Sequence, residues 1–409
     1  MPNAFEILRY KELRSYIIIR FFFILVMNMQ ATLISWKVYE ITKDPFDIGL
    51  IGLIEFIPAF ITAFYAGHKI DKSDKKTILS YCLFGNIILS LVLLYTTMNS
   101  TVKNLDQQFL LSTIFFIIFC TGFLRAFSGP TFFALVSQLV KKEEIPQAAT
   151  WHSGSWQIAS VSGPALAGLL YAKIGITYTF YIIVILMCVA FLTIQTIKKK
   201  PPLIIKNDEP FLKSVKEGFH FVWNTKDILG SMSLDLFAVF FGGAVALLPY
   251  FSAEILNSGP EGLGLLRSAP ALGSLVLMLY VAFRPLKKQQ GKMMLYCVGI
   301  FGISIIIFGL SKIFWISLAA LFLSGIVDGI SMLVRGTILQ LKTPDHMRGR
   351  VASLNSIFIM SSNELGAFES GFASKLFGVV PSVLIGGSMT IAVTIYTWFR
   401  LPELRRLEY

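Results

Sequence analysis

The chain has 409 residues, of which 55% are hydrophobic, 14% are aromatic and only 15% are charged. A water-soluble globular domain carries roughly 25% charged residues, so a soluble fold is excluded at the outset. The net charge of +12 would suit a nucleic-acid partner, but the placement of the charges along the chain excludes that as well.

The first residues, MPNAFEILRYKELRSY, are polar and charged, and the apolar run after them is long enough to span. This reads as a first membrane helix and not as a cleaved signal. A spanning helix needs about 20 mostly apolar residues. The first six such stretches are 16–40, 46–69, 77–98, 109–139, 147–172 and 174–196. The other six are 228–253, 261–284, 292–310, 312–341, 350–375 and 378–400. Between the sets lies 197–227, where KKKPPLIIKNDEP cannot continue a helix. The following FLKSVKEGFHFVWNTK puts Phe211, Val215, Phe219 and Val222 at helical spacing, as in an amphipathic helix on a membrane surface. The expected organisation is therefore 1–196 as one six-helix bundle, 197–227 as a linker, and 228–409 as a second bundle.

With a cytoplasmic N-terminus, 27 of the 36 Lys and Arg fall on inward-facing segments and six on outward-facing ones. That bias is the positive-inside rule, and it implies an even number of spans with both termini cytoplasmic. Cys82, Cys120, Cys188 and Cys297 lie singly in different apolar helices and read as small core residues. His68, His152, His220 and His346 have no partner at ligand spacing, so neither a metal nor a cofactor is expected. GxxxxGK[ST] is absent, which disfavours a nucleotide-driven pump. Neither paired catalytic carboxylates at a water face nor a nucleophile elbow is found, so no enzyme is expected.

The two sets of six repeat weakly. SQLVKKEEIPQAATW (137–151) aligns with LQLKTPDHMRGRVAS (339–353), and Gly168 and Gly175 fall on Gly371 and Gly378. In each copy an apolar helix ends in a short basic turn and a Gly-rich helix follows. Parallel six-helix repeats of this kind build one large class of transporters. Pro58, Pro130, Pro164, Pro249 and Pro270, with Gly242, Gly243, Gly273 and Gly325, mark places for bending or close packing.

The loop AGHKIDKSDKK (66–76) holds Gly67, Asp71, Lys72, Lys75 and Lys76. Glycine permits a tight exit, and Asp71 can face the positive end of a neighbouring helix. This loop resembles the loop-2/3 signature of the major facilitator superfamily, although Asp74 stands where that family usually has a second Gly. Longer strings carry a more specific resemblance: RFFFILVMNMQATLISWKVYEITKDPFDIGLIGLIEFIPAF (20–60), GPALAGLLY (163–171), SLDLFAVFFGGAVALLPYFS (233–252), GLLRSAPALGS (264–274), QLKTPDHMRGRVASLNSIF (340–358) and SNELGAFESG (362–371). They are similar to the branch of that superfamily containing the bacterial enterobactin exporter and macrolide-efflux proteins. The resemblance covers essentially the whole chain. It implies an all-α membrane protein with 12 transmembrane helices as two pseudo-symmetric six-helix bundles. It also implies proton-driven export of a small organic molecule from the inner membrane, by a chain expected to be monomeric. Relatives often carry an acidic residue about eight positions after the first-helix arginine. Here Asn28 follows Arg20, so no proton carrier is placed there.

A charge at mid-membrane costs at least about 2.5–3.5 kcal/mol and marks a functional site by default. Arg125, Asp328 and Glu364 come nearest mid-depth by count along their spans. Arg20, Asp235 and Arg335 lie toward the cytoplasm; Glu55, Arg267 and Glu369 lie toward the outside. The resemblance implies that spans 1, 4, 7 and 10 line a central cavity, and that 2, 5, 8 and 11 form the contact between halves. Arg125 and Asp328 would then face one another as binding or coupling groups, or serve as a fixed pair that sets helix packing. In SNELGAFESG, Glu364 and Glu369 are five residues apart, about 140° on a helix. Glu364 with Asn363 is expected at the cavity or the seam, titrating during transport. Glu369 is expected to close the outer side against Arg267 or a group on span 2, with Gly366, Ala367 and Gly371 allowing close approach. In the TPDHMRGR loop, Thr343 and Asp345 are expected to serve the start of span 11, and Arg348 and Arg350 to anchor it. Import of a nutrient, and a membrane sensor or scaffold on the same fold, remain open beside export.

Overall fold

The computed structural model describes residues 6–98, 106–201, 211–284, 289–344 and 347–408, without the side chains of 64, 71 and 211–215. Expectations that fall on Lys103, Asp345, His346, residues 202–210, residues 285–288 and the side chains of Asp71, Phe211 and Val215 lie outside these. The fold is all-α, as a spanning chain requires, because a lipid interior leaves backbone amides no partner except their own helix. The helices are α1 (Lys11–Thr42), α2 (Pro45–Asp71), α3 (Lys75–Thr97), α4 (Gln107–Val136), α5 (Ile145–Ile194) and α6 (Phe211–Asn224). They continue as α7 (Lys226–Phe241), α8 (Gly259–Phe283), α9 (Gln290–Leu310), α10 (Phe314–Lys342), α11 (Arg348–Phe377) and α12 (Val379–Arg400).

Among the described residues ten helical segments are long and apolar enough to cross a membrane. One of these, Lys142–Ile194, holds two of the expected spans. Helix α11, the expected eleventh span, is long enough but is not among the ten. Its Arg348, Arg350, Asn355, Asn363, Glu364, Glu369 and Lys375 dilute its apolar surface.

The fifty-residue run of α5 is broken by Gly175 at φ 80° and ψ 168°. Gly378, its partner in the sequence repeat, separates α11 from α12 at φ 90° and ψ 159°. Both angles lie in a region that essentially only glycine occupies. The repeat is thus written into the backbone at equivalent corners. By contrast Pro58, Pro130, Pro164 and Pro270 stay inside continuous helices. The real interruption follows α7, which ends at Gly242. Beyond it lie a 3₁₀ turn (Ala244–Leu247), one α-turn (Leu248–Tyr250) and a π turn (Phe251–Ile255).

The chain forms two compact units, Met1–Ile41 with Ile57–Asp208, and Thr42–Phe56 with Glu209–Tyr409. In the first, α3 packs against α4 and α5, with Ala66, Ile70, Ile78, Cys82 and Ala126 clustered at one end. Three of its buried polar side chains form a chain of hydrogen bonds: Gln30 Nε2 donates to Ser90 Oγ (2.5 Å), Ser90 Oγ to Asn86 O (2.7 Å), and Asn86 Nδ2 to Cys82 O (2.8 Å). In the second, α10 packs on α8 and α9, α9 on α12, and α7 on α11 and α12. Val222, Met232, Met294, Val334, Val351 and Leu354 belong to one apolar cluster that includes the end of α6.

No atom lies within 4 Å of the Cβ that a substitution would add at Gly175, so backbone strain alone decides its cost. Gly175→Ala and Gly378→Ala are each expected to destabilise the purified protein by about 1–3 kcal/mol, read as loss of thermal stability in detergent. Gly67→Ala, on open helical backbone, serves as the neutral control.

Candidate functional site

The N-terminal part of α2, which belongs to the second unit, lies on α11. Glu364, Ala367 and Gly371 fall at i, i+3 and i+7, so they form one stripe of that helix. A Cβ on Gly49 would sit 2.8 Å from Gly371 Cα, and one on Gly52 would sit 2.6 Å from Glu364 O. Side chains at either position would push the helices apart. At the end of the seam Phe46 meets Phe368 and Phe372 at ring-centroid distances of 6.1 and 6.4 Å. Lys375 Nζ stands 4.6 Å from the Phe46 ring centroid and 3.8 Å from Asp44 Oδ2.

Further along the seam are three ionisable groups from three helices: Glu55 on α2, Glu364 on α11 and Arg267 on α8. Arg267 lies in electrostatic reach of Glu364 first and Glu55 second. Glu369, expected against Arg267 or a polar group on span 2, has a side-chain hydrogen bond with the adjacent Ser370. That part of α11 faces the interruption after α7. A Cβ on Gly366 would sit 2.8 Å from Phe240 O, and one on Gly243 would sit 2.8 Å from Ser370 Oγ. Asn363 is exposed, and its Nδ2 donates to Ile359 O at 2.8 Å. It therefore serves its own helix, although the sequence placed it with Glu364.

A second cluster joins α7 and α10. Asp235 and Arg335, buried at 6% and 4% exposure, form an ion pair. Asp235 and Asp328 line one cavity of about 10 Å³ with Cys297, Phe301 and Ser331, near the smallest room that admits a water. Asp328 is partly buried and forms no ion pair among the described residues. Sequence reading singled out all three residues but not their meeting. Asp235 and Arg335 are 100 positions apart, and only their opposite charge at similar depth signalled it.

The first unit holds Arg20, Asn28 and Arg125. Arg20 is buried; its Nε donates to His152 O at 3.0 Å, and its guanidinium stands 5.5 Å from the Phe132 ring centroid. Tyr16 OH donates to Phe132 O at 2.9 Å and contacts His152 Nδ1 at 2.5 Å. His152, read from sequence only as lacking a partner at ligand spacing, is the missed member of this group. Asn28 Nδ2 bonds back to Ile24 O at 2.9 Å, and its Cβ lies against Gly163. Arg125 is exposed on α4.

The loop 66–76 works differently from the expectation. Gly67 is helical with open space around it, so neither a tight exit nor close approach requires glycine there. Asp74 caps α3, accepting from Thr77 N at 2.9 Å and Thr77 Oγ1 at 2.6 Å. Its φ of −65° explains why no second glycine is needed. Burial pushes the Asp74 carboxyl up. The hydrogen bonds from Thr77 and the Lys200 amide outweigh that and hold it below the usual carboxylate range. Lys75 is buried and donates to Ile70 O and Ser73 O at 2.5 and 3.1 Å, closing the end of α2. Lys76 Nζ reaches Gln195 O at 3.2 Å, and Lys72 is exposed. Thr343 ends α10, and its buried hydroxyl has no hydrogen-bond partner among the described residues, so it does not serve α11. Arg350 is paired with Glu217 on α6. No metal-binding group occurs among the described residues.

Comparison with known proteins places these features in context. The family model described as Major Facilitator Superfamily matches residues 16–367. The chain is 24% identical over 400 residues to the enterobactin exporter EntS of Citrobacter koseri, covering 97% of this chain and 93% of that one. It is 23% identical over the same length, with the same coverage, to an Escherichia coli enterobactin exporter EntS. Among solved structures, a D-xylose-proton symporter matches with TM-score 0.76 at 13% identity, over 98% of this chain and 100% of that one. A bacterial homologue of the iron transporter ferroportin in its inward-facing state matches with TM-score 0.70 at 16% identity, over 95% and 99%.

Removing one partner of a buried ion pair strands the other, at about 3–5 kcal/mol. Asp235→Ala is expected to lose that much stability, and the double substitution Asp235→Leu with Arg335→Met to lose much less, read by thermal unfolding in detergent. Asp74→Ala is expected to cost about 1 kcal/mol and Asp74→Asn far less, because both Asp and Asn cap helices. Because its carboxyl sits low in the folded protein, the contribution of Asp74 is present above the ordinary carboxylate pKa. It fades as the pH falls through the lowered value, and stability measured against pH checks this.

Proposed function

The chain belongs to the Major Facilitator Superfamily, and on that premise we propose that it exports a small organic molecule, siderophore-like or drug-like, by proton-driven alternating access. Membership makes it a multi-pass membrane transporter. The positive-inside bias supports both termini in the cytoplasm of a cell whose inner membrane it spans. The observation that carries the coupling is the grouping of Glu55, Arg267 and Glu364 in one helix seam. Two carboxylates share one guanidinium, so binding and release of a proton at one of them costs less than it would at an isolated buried charge. The whole-length similarity to enterobactin exporters supports outward transport and an amphipathic, siderophore-like cargo. Asp328 beside the Asp235–Arg335 pair, together with Arg125, is the second set of candidate binding or coupling groups; Arg20 and Asn28 support the first unit. The active form is read as a monomer without a cofactor.

Efflux of a labelled siderophore and a drug panel from energised cells tests this reading. The expected outcome is efflux that stops with a protonophore, whereas efflux indifferent to it would remove the proton mechanism. Net uptake under the same gradient would replace export by import. Asp328→Asn and Arg125→Gln are each expected to lower proton-coupled transport at least tenfold with the protein still present in the membrane. If both leave it intact, these residues play no part in coupling.

A further inference from the structure

Helix α6 has two faces. Gly218 and Val222 are buried against the start of α11, where a Cβ on Gly218 would lie 3.2 Å from both Arg350 Cβ and Leu354 Cδ1. The opposite face carries Lys216, Phe219, His220 and Trp223. Phe219 and Trp223 are 49% and 61% exposed, and their rings stack at 5.7 Å between centroids and 26° between planes. Two stacked aromatics in the open, on a helix too short to span, form an apolar wedge of the kind that interfacial helices insert into a lipid surface. Beside them runs an open groove of about 980 Å³, lined by Lys216, Glu217, His220, Trp223, Met347 and Arg350. That is at the upper end of the range for small-molecule sites.

The charges around this groove select its occupant. Of the charges that line it, Glu217 is paired with Arg350. Lys216, also on the groove wall, makes no ion pair among the described residues. We propose that the groove holds one anionic phospholipid of the leaflet on which α6 lies, with its acyl chains along Phe219 and Trp223 and its phosphate at the Lys216 ammonium. Juxtamembrane basic pockets recognise such headgroups by this combination of charge and apolar wall. Because Gly218 seats α6 directly on the first turns of α11, the bound lipid also tethers the linker helix to the helix that carries Glu364.

The full-length protein in nanodiscs provides the test. Trp223 fluorescence, taken as wild type minus Trp223→Phe, is titrated with brominated phosphatidylglycerol and with brominated phosphatidylcholine of the same chains. The expected result is quenching at about fivefold lower mole fraction of the anionic lipid, unchanged by added inorganic phosphate and reduced to equality by Lys216→Glu. Lys216→Gln gives the same readout if the charge reversal fails to fold, as judged by size exclusion. Equal quenching by both lipids in the wild type would overturn the proposal, since the wedge would then be unselective. So would competition by inorganic phosphate, which would make this a site for a soluble anion. Quenching of Trp223 only by aqueous iodide, as expected if the preceding linker or water fills the groove, would overturn it as well.

Discussion

Charge inside an apolar seam is the constraint around which the second unit is built. A charge at the depth of Glu364 carries a penalty of at least about 2.5–3.5 kcal/mol, and Glu55, Glu364 and Arg267 reduce the cost of their burial by coming together. They come from three different helices, and two of these, α2 and α11, lie in close contact. The approach of two of them is made possible by residues without side chains. Gly49 against Gly371 and Gly52 against the Glu364 carbonyl bring α2 onto α11 at backbone distance. The same α11 meets the interruption after α7 on another face through Gly366 and Gly243. A helix held on two faces by glycine contacts, with its charges partnered on one of them, can shift while its polar groups keep their neighbours. Larger side chains would lock it by interdigitation.

The other charged groups answer the same constraint with fixed structure. Asp235 and Arg335 neutralise each other in a buried pair beside Asp328. Arg20 finds the His152 carbonyl and the Phe132 ring. Lys75 folds back on the carbonyls that end α2. Of these sites only Asp328 forms no ion pair among the described residues and borders a cavity. This sets it apart from groups whose partners are already in place.

The spans were legible because length and hydropathy are properties of a local window. The corners at Gly175 and Gly378 were legible because the repeat aligned two residues that only glycine can replace. Helix α11 was readable mainly from its place in that repeat, since its polar and charged side chains weaken its apolar signal. Pairings across long separations were not legible. Nothing local links Asp235 to Arg335 or Arg267 to Glu364, and depth counted along a span does not say which face a side chain takes. The loop 66–76 misled for a physical reason. A glycine and two aspartates fit several turn geometries, and the one formed uses Asp74 as a helix cap and Lys75 as a helix end. Likewise, Thr42–Phe56 joins the second unit through glycine contacts that only a partner helix reveals.

The central claim is that Glu364, held beside Arg267 and Glu55, is where proton movement meets cargo movement. Purified protein in liposomes separates the two, because exchange of labelled for unlabelled cargo needs no net proton transfer, whereas uphill accumulation driven by an imposed pH gradient does. For Glu364→Gln the account predicts exchange at near wild-type rate with gradient-driven accumulation abolished. Accumulation that survives the substitution would contradict it.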